Sequence, residues 1–194
     1  MTRRGRRVPY QLDARGIASL PSEEIAAILR GADSLIASGG RSMLTKLLKG
    51  SRAKRVLELG LDANPVYGYY AHLTLDQILA RIDRVILDGY LNVIYQGRLP
   101  MLVFSDKGWA IERETRVQEF LRDFDAMLAR GHGPYDMTYL KDRNRGMILL
   151  LLDRVAATGD ARYIPLLKAW AGVDYKKVRA RIREVIEQLR EAAG

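Results

Sequence analysis

Apolar residues recur at helical spacing near the start of the chain, and glycines interrupt them. With Ser22 as the N-cap, the spacing of isoleucines and leucines predicts a helix over about residues 22–36. Gly39 and Gly40 break this pattern, and the apolar positions that follow predict a second helix over residues 41–49. The pattern therefore indicates a helix, a turn and another helix.

A short helix, a longer amphipathic helix and a β-hairpin are predicted next. The stretch VLELGL at residues 56–61 predicts the short helix, and Thr74 is the predicted N-cap of an amphipathic helix that ends at Gly89. Residues 90–105 have strand-like patterns on both sides of the turn residues QGRLP, which predicts a β-hairpin. Several short helices followed by a hairpin are the order of a winged helix, the helix-turn-helix class with a β wing.

Helical periodicity continues through the C-terminal part of the chain. Residues 113–130 predict a linker or scaffold helix, and three further helices are predicted at residues 143–157, 162–172 and 174–191. Their spacing is similar to that of a HEAT-like helical hairpin, in which neighbouring helices bury one another's apolar stripes. The predicted fold is mainly α with a small β-hairpin wing: a winged helix-turn-helix followed by an α-helical, HEAT-like C-terminal module.

These patterns divide the chain into four predicted segments. They are a basic flexible arm at residues 1–16, a winged-helix domain at 17–110, a linker or scaffold helix at 111–133 and an α-helical C-terminal module at 134–194. The arm begins with TRRGRR, which has too little apolar content to pack but enough charge to contact DNA phosphates. A plain solubilising tail is the alternative interpretation.

The distribution of charge indicates an anionic partner. The chain has 32 Lys+Arg against 23 Asp+Glu, a net charge of +9. Residues 1–60 carry 12 cations against 5 anions (+7), residues 61–140 carry 8 against 11 (−3), and residues 141–194 carry 12 against 7 (+5). No helix combines a basic face with a lipid-seeking one, so nucleic acid is favoured over a membrane. The longest apolar run is too short for a membrane span and no secretory signal is recognisable, so a cytoplasmic protein is expected.

Residues that could perform catalysis are sparse. The absence of cysteine excludes disulfides, thiolate metal sites and a cysteine nucleophile, and it fits a reducing compartment. His72 and His132 have no ligand-like spacing, and Asp123 and Asp125 point to different faces of their predicted helix. A protein without enzymatic activity, cofactor or metal is therefore expected.

Five short motifs, in a fixed order, resemble the RQC domain of RecQ helicases. They are Lys49-Gly50-Ser51 in a basic element, a Leu-x-x-Gly step at residues 57–60, Tyr67-Gly68, Gly89-Tyr90-Leu91 at a helix end, and a Ser-x-x-Gly step at residues 105–108. The chain as a whole is similar to the stand-alone bacterial DNA-binding proteins of the RQC-minor-1 family, and this similarity includes residues 134–153. The resemblance implies a winged helix that binds DNA.

The chain departs from the RecQ helicases in ways that limit this comparison. It has no GxxxxGK[ST] loop, no helicase core and no cysteines for a zinc module, so it is not expected to unwind DNA. The predicted wing tip, Gln96-Gly97-Arg98, is also short compared with the wings that separate base pairs in some RecQ relatives. Strand separation by the wing is therefore not expected.

A DNA-binding surface is predicted from a helix N-terminus, a basic cluster and the wing. Arg41 and Ser42 begin the second helix, where free backbone N–H groups and the guanidinium could hold a phosphate, and Tyr95 and Arg98 would be the wing's contribution. The basic cluster consists of Lys46, Lys49, Ser51, Arg52, Lys54 and Arg55. The resemblance places this cluster at the element that lies on DNA, whereas a solvated surface is the alternative.

A secondary basic patch is predicted at the start of the last helix. Lys176, Lys177, Arg179 and Arg183 crowd its first turns, where positive charge opposes the helix dipole. This arrangement indicates an anionic partner, either the DNA backbone or an acidic protein surface. A plain solvated face is the other interpretation.

The leading hypothesis is an accessory or regulatory protein that binds duplex DNA. A second hypothesis is an adaptor that recruits a nuclease or helicase through a degenerate winged helix. Separately, the C-terminal helices are a candidate site for a protein partner. A nuclease would need carboxylates that converge on a metal ion, and the spacing of acidic residues does not indicate them. The sequence leaves open the DNA structure preferred, RNA binding and the oligomeric state.

Overall fold

The computed structural model describes residues 7–131 and 133–193, which form two compact units divided between Glu112 and Arg113. The first unit contains α1 (Ser22–Asp33), α2 (Arg41–Lys49), α3 (Lys54–Glu58), a 3₁₀ turn (Leu61–Ala63), α4 (Leu75–Leu87), β1 (Leu91–Gln96) and β2 (Leu99–Phe104). The second contains α6 (Arg145–Ala157), α7 (Ile164–Val173) and α8 (Lys176–Ala192), with 3₁₀ turns at Thr138–Leu140 and Ala161–Tyr163. The helix α5 (Asp106–Ala129) begins in the first unit and continues in the second.

The wing is a two-stranded antiparallel sheet. The register runs from Leu91 opposite Phe104 to Gln96 opposite Leu99, which leaves a two-residue turn at Gly97 and Arg98. The pairing confirms the predicted hairpin. Its turn is shorter than predicted, because the second strand begins at Leu99 rather than at residue 102. Leu91 and Leu102 are fully buried, so the hairpin packs on the helices through one face.

The core of the first unit is built from α1, α2, α4 and the wing. Its fully buried residues include Ile28, Leu29, Leu44, Leu47, Leu48, Ile78, Ile82 and Val85. The predicted cap of α4 is confirmed: the Thr74 hydroxyl accepts the Gln77 N–H, and the Gln77 side chain accepts the Thr74 N–H. The predicted cap of α1 is wrong, because Pro21 occupies the N-cap position and Ser22 is already helical.

Residues 7–16, here called the N-terminal strap, contact the wing and α4. The Val8 N–H donates to the Arg98 carbonyl at 2.9 Å, and the Asp13 N–H donates to the Asp83 carboxylate at 2.9 Å. Arg15 also forms an ion pair with Asp76 of α4 at 2.9 Å. Residues 7–16 of the predicted flexible arm therefore make defined contacts with the first unit, and residues 1–6 lie outside the described part of the chain.

The core of the C-terminal unit includes the second half of α5. Its buried residues are Val117, Phe120, Phe124, Met147, Leu151, Leu152, Tyr163, Leu166, Leu167, Trp170, Ile182, Val185 and Leu189, among others. The helix predicted as a linker therefore contributes three large side chains to this core, because its apolar face needs a packing partner. The helices predicted after it are present, and their HEAT-like character stays a prediction.

Candidate nucleic-acid interface

Arg41, at the start of α2, is engaged in a buried ion pair. Its Nη1 atom lies 2.5 and 2.7 Å from the carboxylate oxygens of Asp83, whose side chain is only 2% exposed. The same nitrogen donates to the Gln11 carbonyl at 3.0 Å. Arg41 therefore holds the N-terminal strap and α4 together, and the predicted phosphate contact of its guanidinium stays a prediction. Ser42 beside it is exposed.

Lys49, at the end of α2, also contacts the protein itself. Its ammonium group donates to the carbonyls of Ala71 and Leu73 at 2.6 and 2.7 Å. The following residue, Gly50, has φ of 74° and lies so close to Gly68 that an added Cβ would be 3.0 Å from the Gly68 Cα. Two motifs of the resemblance, Lys49-Gly50-Ser51 and Tyr67-Gly68, therefore meet in space and shape the fold. Lys49, like Arg41, is engaged within the protein, and its predicted DNA contact stays a prediction.

The basic cluster that stays accessible lies at residues 46–58, here called the α2–α3 segment. Lys46, Arg52, Lys54 and Arg55 are exposed, whereas the Ser51 hydroxyl accepts the N–H of the residue before α3 at 3.3 Å. The segment has five cations against one carboxylate, a net charge of +4.

Among the described residues, Glu58 is the one carboxylate that forms ion pairs with this segment. It lies 3.7 Å from the Lys54 ammonium and 3.8 Å from the Arg55 guanidinium, whose side chains are 90% and 66% exposed. Exposed pairs of this kind contribute roughly 0–1 kcal/mol, so they do not prevent contact with a phosphate. Within the part of the chain that the structure describes, Lys46 and Arg52 have no side-chain partner.

The helix before the wing, α4, has a different electrostatic character. Residues 75–88 carry two arginines and three aspartates, a net charge of −1. Arg81 pairs with Glu24 at 3.0 Å, and Arg84 pairs with Asp88, the residue that follows the helix. Although the corresponding helix often enters the major groove in helix-turn-helix proteins, here the positive charge lies on the α2–α3 segment.

Glu24 joins α1 to this part of the fold through a second contact. The Tyr70 hydroxyl donates to its carboxylate at 2.5 Å. Burial, followed by this hydrogen bond, raises the pKa of Tyr70 above its ordinary range. Tyr70 is therefore a buried structural residue.

Tyr95 on the wing supports the N-terminal strap. Its hydroxyl donates to the Val8 carbonyl at 2.8 Å, and the Arg7 guanidinium lies 4.7 Å from the centre of its ring. The Tyr10 ring lies 6.0 Å away. The Tyr95 hydroxyl is thus engaged within the protein, and its predicted DNA contact stays a prediction. Arg98 is exposed at the wing tip. The contact of Arg7 with the Tyr95 ring could not be predicted from the sequence near either residue.

The motif that follows the wing fixes the start of α5. The Ser105 hydroxyl donates to the Gly89 carbonyl at 2.6 Å and accepts the Gly108 N–H at 3.0 Å. Gly108 packs so tightly that an added Cβ would lie 2.0 Å from the Tyr90 carbonyl oxygen. The motifs Gly89-Tyr90-Leu91 and Ser105 to Gly108 therefore contact each other, which explains their joint presence.

Substitution of this glycine is expected to destabilise the first unit. Gly108→Ala should lower the free energy of unfolding by about 2 kcal/mol, because the backbone of residue 90 must move away from the new methyl group. The matched control is Gly172→Ala in α7, where a Cβ would meet no atom within 4 Å. Urea denaturation should show a loss only in the first variant. Equal stability of both variants would contradict the tight contact.

The predicted secondary patch lies on the N-terminal half of α8. Lys176, Lys177, Arg179 and Arg183 are exposed, and within the described ranges none of them has a side-chain partner. Arg181, by contrast, pairs with Asp153 at 2.8 Å and with Glu184 at 2.9 Å. The structure therefore brings the four predicted cations together on one helix end without neutralising them.

Other classes of site receive no support from the described residues. They contain no group of three or more His, Asp or Glu side chains placed to hold a metal ion. Asp125, one of the two aspartates considered above, accepts the Tyr163 hydroxyl at 2.5 Å. Burial and this hydrogen bond raise the pKa of Tyr163 to about 12.

Among the helices described, none has the length and apolar content needed to cross a membrane, and the cytoplasmic location stays a prediction.

The helices, the two-stranded wing and the basic α2–α3 segment define the first unit as a winged-helix domain of the nucleic-acid-binding class. The family model of the RQC domain matches residues 21–124, which is more than half of the 194-residue chain. The protein therefore belongs to the RQC domain family, as the five motifs predicted, and domains of this family are nucleic-acid-binding winged helices. The chain matches no curated protein and no solved structure.

Proposed function

We propose that this protein binds double-stranded DNA through the α2–α3 segment and acts as an accessory or regulatory factor rather than as an enzyme. The observation that supports this most directly is the net charge of +4 on residues 46–58, whose exposed cations have Glu58 as their one carboxylate partner among the described residues. Clusters of accessible lysine and arginine bind DNA by displacing counterions from its phosphates. The binding is therefore electrostatic and steeply dependent on salt.

The remaining charges argue for contact with the backbone rather than with bases. Phosphate contacts position a protein on the duplex, whereas side chains that reach the base edges select a sequence. The arginines of α4 are occupied by Glu24 and Asp88, so α4 presents few side chains for such contacts. The two-residue wing tip and the engaged Tyr95 hydroxyl favour holding of a duplex over its separation.

Fluorescence-anisotropy titrations with matched duplex, forked and single-stranded DNA at several salt concentrations test this proposal. The variant Arg52→Glu/Lys54→Glu/Arg55→Glu should bind duplex about 100-fold more weakly at ~100 mM salt. The slope of log affinity against log salt should become less negative by about 3, since each lost phosphate contact contributes about 0.9. Circular dichroism should show that the variant remains folded.

The matched control is Arg122→Glu/Arg130→Glu/Lys168→Glu. It reverses three exposed cations of the C-terminal unit that lie outside both basic patches, and it changes the net charge equally. We expect its duplex affinity to stay within about threefold of the unmodified protein, because the α2–α3 segment is left intact. If the net charge of the protein alone governed binding, both triple variants would lose affinity equally. Indifference of the unmodified protein to duplex DNA at ~100 mM salt would overturn the proposal and favour the adaptor hypothesis.

A further inference from the structure

A pocket opens between the beginnings of α6 and α8 in the C-terminal unit. Its volume is about 460 Å³, within the range of roughly 300–1,000 Å³ that is usual for small-molecule sites. Leu140, Ile148 and Val178 give it an apolar floor. Its rim is basic, and it includes Arg145 and Lys177. The pocket therefore combines an apolar surface with positive charge.

The pocket lining carries a net charge of +2, because four Lys and Arg side chains outnumber two carboxylates. Two carboxylates line the pocket, those of Asp142 and Asp174. Asp142 accepts the Tyr175 hydroxyl at 2.7 Å, and Asp174 accepts the Trp170 indole N–H at 2.7 Å. Both carboxylates keep their negative charge, and among the described residues neither forms a salt bridge with a rim cation. Among the described residues, Arg145, Lys176 and Lys177 have no side-chain partner.

An aromatic ring stands at the edge of this pocket. Tyr175 is 55% exposed, although its hydroxyl is held by Asp142 and the Lys141 ammonium lies 5.1 Å from the ring centre. The hydrogen bond to Asp142 also raises the pKa of Tyr175. Because the ring is already positioned, a ligand that stacks on it would lose little conformational entropy of the side chain.

The charge along α8 continues the basic rim. Lys176, Arg179 and Arg183 follow one another at the spacing of a single helix face, over about 10 Å of its axis. Glu184 and Glu187 lie further along the same helix. The cations at its beginning oppose the helix dipole, so this end of the isolated helix is destabilised and an anion bound near it is favoured.

We propose that this pocket and the adjoining face of α8 form a second nucleic-acid site that takes a nucleotide of an unpaired strand. One base would lie against Tyr175 and the apolar floor, while Arg145, Lys176 and Lys177 contact the flanking phosphates. Stacking on an aromatic ring next to basic residues is the general mode by which proteins hold single strands. The backbone of a duplex offers charge to the rim but no accessible planar group for the pocket.

The proposal deepens the proposed function and rests on the chain being a nucleic-acid-binding protein. Its test uses the full chain and a fluorescein-labelled single strand of about ten thymidines, within the usual site size of ~4–16 nucleotides. Tyr175→Ala should weaken binding of this strand about 10-fold, whereas Tyr175→Phe, which keeps the ring, should stay within about threefold. Duplex binding should be unchanged in both variants.

The charge of the rim is tested separately. Lys176→Glu/Lys177→Glu should weaken binding of the single strand by about 10-fold or more at ~100 mM salt. The control Arg122→Glu/Lys168→Glu reverses two exposed cations outside the pocket and should leave it unchanged. Thermal melts followed by circular dichroism should show that each variant is folded.

The outcomes separate this proposal from the preceding one. Duplex binding that depends on Arg52, Lys54 and Arg55, with no single-strand binding, would overturn the second site alone. Single-strand binding that depends on Tyr175, with no duplex binding, would overturn the proposed duplex function alone. Equal loss in Tyr175→Ala and Tyr175→Phe would overturn stacking, and displacement of the strand by an oligo-glutamate peptide of similar charge would indicate an acidic protein partner instead.

Discussion

Trp170→Ala is expected to lower the free energy of unfolding of the C-terminal unit by about 4 kcal/mol, within the usual range of about 3–5 for buried aromatic residues. Trp170 is fully buried, and its ring packs edge-on at 6.0 Å from that of Phe124. Its indole N–H donates to Asp174, so the substitution also removes a partner from a buried carboxylate. Urea denaturation followed by far-ultraviolet circular dichroism measures the loss.

Two comparisons make this prediction specific. Trp170→Phe keeps most of the ring volume, so we expect it to lose less than half as much stability as the alanine variant. In Trp170→Ala the remaining tryptophan is Trp109, which lies in the first unit beside Phe104. Its fluorescence therefore reports on the winged helix while circular dichroism reports on both units. A stability within about 1 kcal/mol of the unmodified protein would contradict the central packing of Trp170.

Asp83→Ala is expected to destabilise the winged helix by about 3 kcal/mol or more, because removing one partner of a buried ion pair leaves the other charge uncompensated. Asp83 is 2% exposed and accepts hydrogen bonds from the Arg41 guanidinium and the Asp13 N–H. The alanine variant leaves this guanidinium, whose side chain is 16% exposed, without a carboxylate. Urea denaturation at neutral pH measures the effect.

The control for this variant is an exposed pair on the same helix. Asp76→Ala removes the carboxylate that lies 2.9 Å from Arg15, where both side chains are more than half exposed, and should cost less than about 1 kcal/mol. The double variant Arg41→Met/Asp83→Leu should recover much of the lost stability, since apolar residues of similar volume often replace buried ion pairs without loss. Equal losses in Asp83→Ala and Asp76→Ala would show that burial does not strengthen the pair.

Local sequence predicted the elements whose boundaries are marked by glycine or by a capping residue. The bounds of α2 agree with the prediction, because Gly40 precedes it and Gly50, with φ of 74°, ends it. The beginning of α5 could not be predicted in this way. A glycine at position 108 disfavours a helix locally, and it is required there because of its close approach to Tyr90, which is a tertiary contact.

At the candidate site, too, local sequence patterns predicted the residue types, whereas contacts between distant parts of the chain could not be predicted. The sequence identified the cations of the α2–α3 segment, but not that Arg41 and Lys49 are occupied within the protein. Their partners lie 42 residues away for Arg41, and 22 and 24 residues away for Lys49. Tyr95 and Val8 are 87 residues apart. Contacts of such separation leave no periodic or compositional signal.

Only the basic residues of the pocket in the C-terminal unit could be predicted from the sequence. The cations at the start of α8 were predicted as an unusual patch because they oppose the helix dipole. The apolar floor was not predicted, since Leu140 and Ile148 approach Val178 only when α6 packs against α8. A further clue in the sequence was Tyr175, an aromatic residue directly before this patch.

Two close contacts between motifs, Gly50 with Gly68 and Gly108 with Tyr90, involve residues that identify the family but not the residues proposed to bind DNA. The residues that make the chain recognisable as a relative are occupied in holding its backbone together, and several exposed lysines and arginines stand between them. A descendant could exchange Arg52, Lys54 and Arg55 for neutral residues and keep both glycine contacts. In this chain, the motifs of the family resemblance hold the backbone together, whereas the proposed DNA contacts depend on exposed charges that these motifs do not fix.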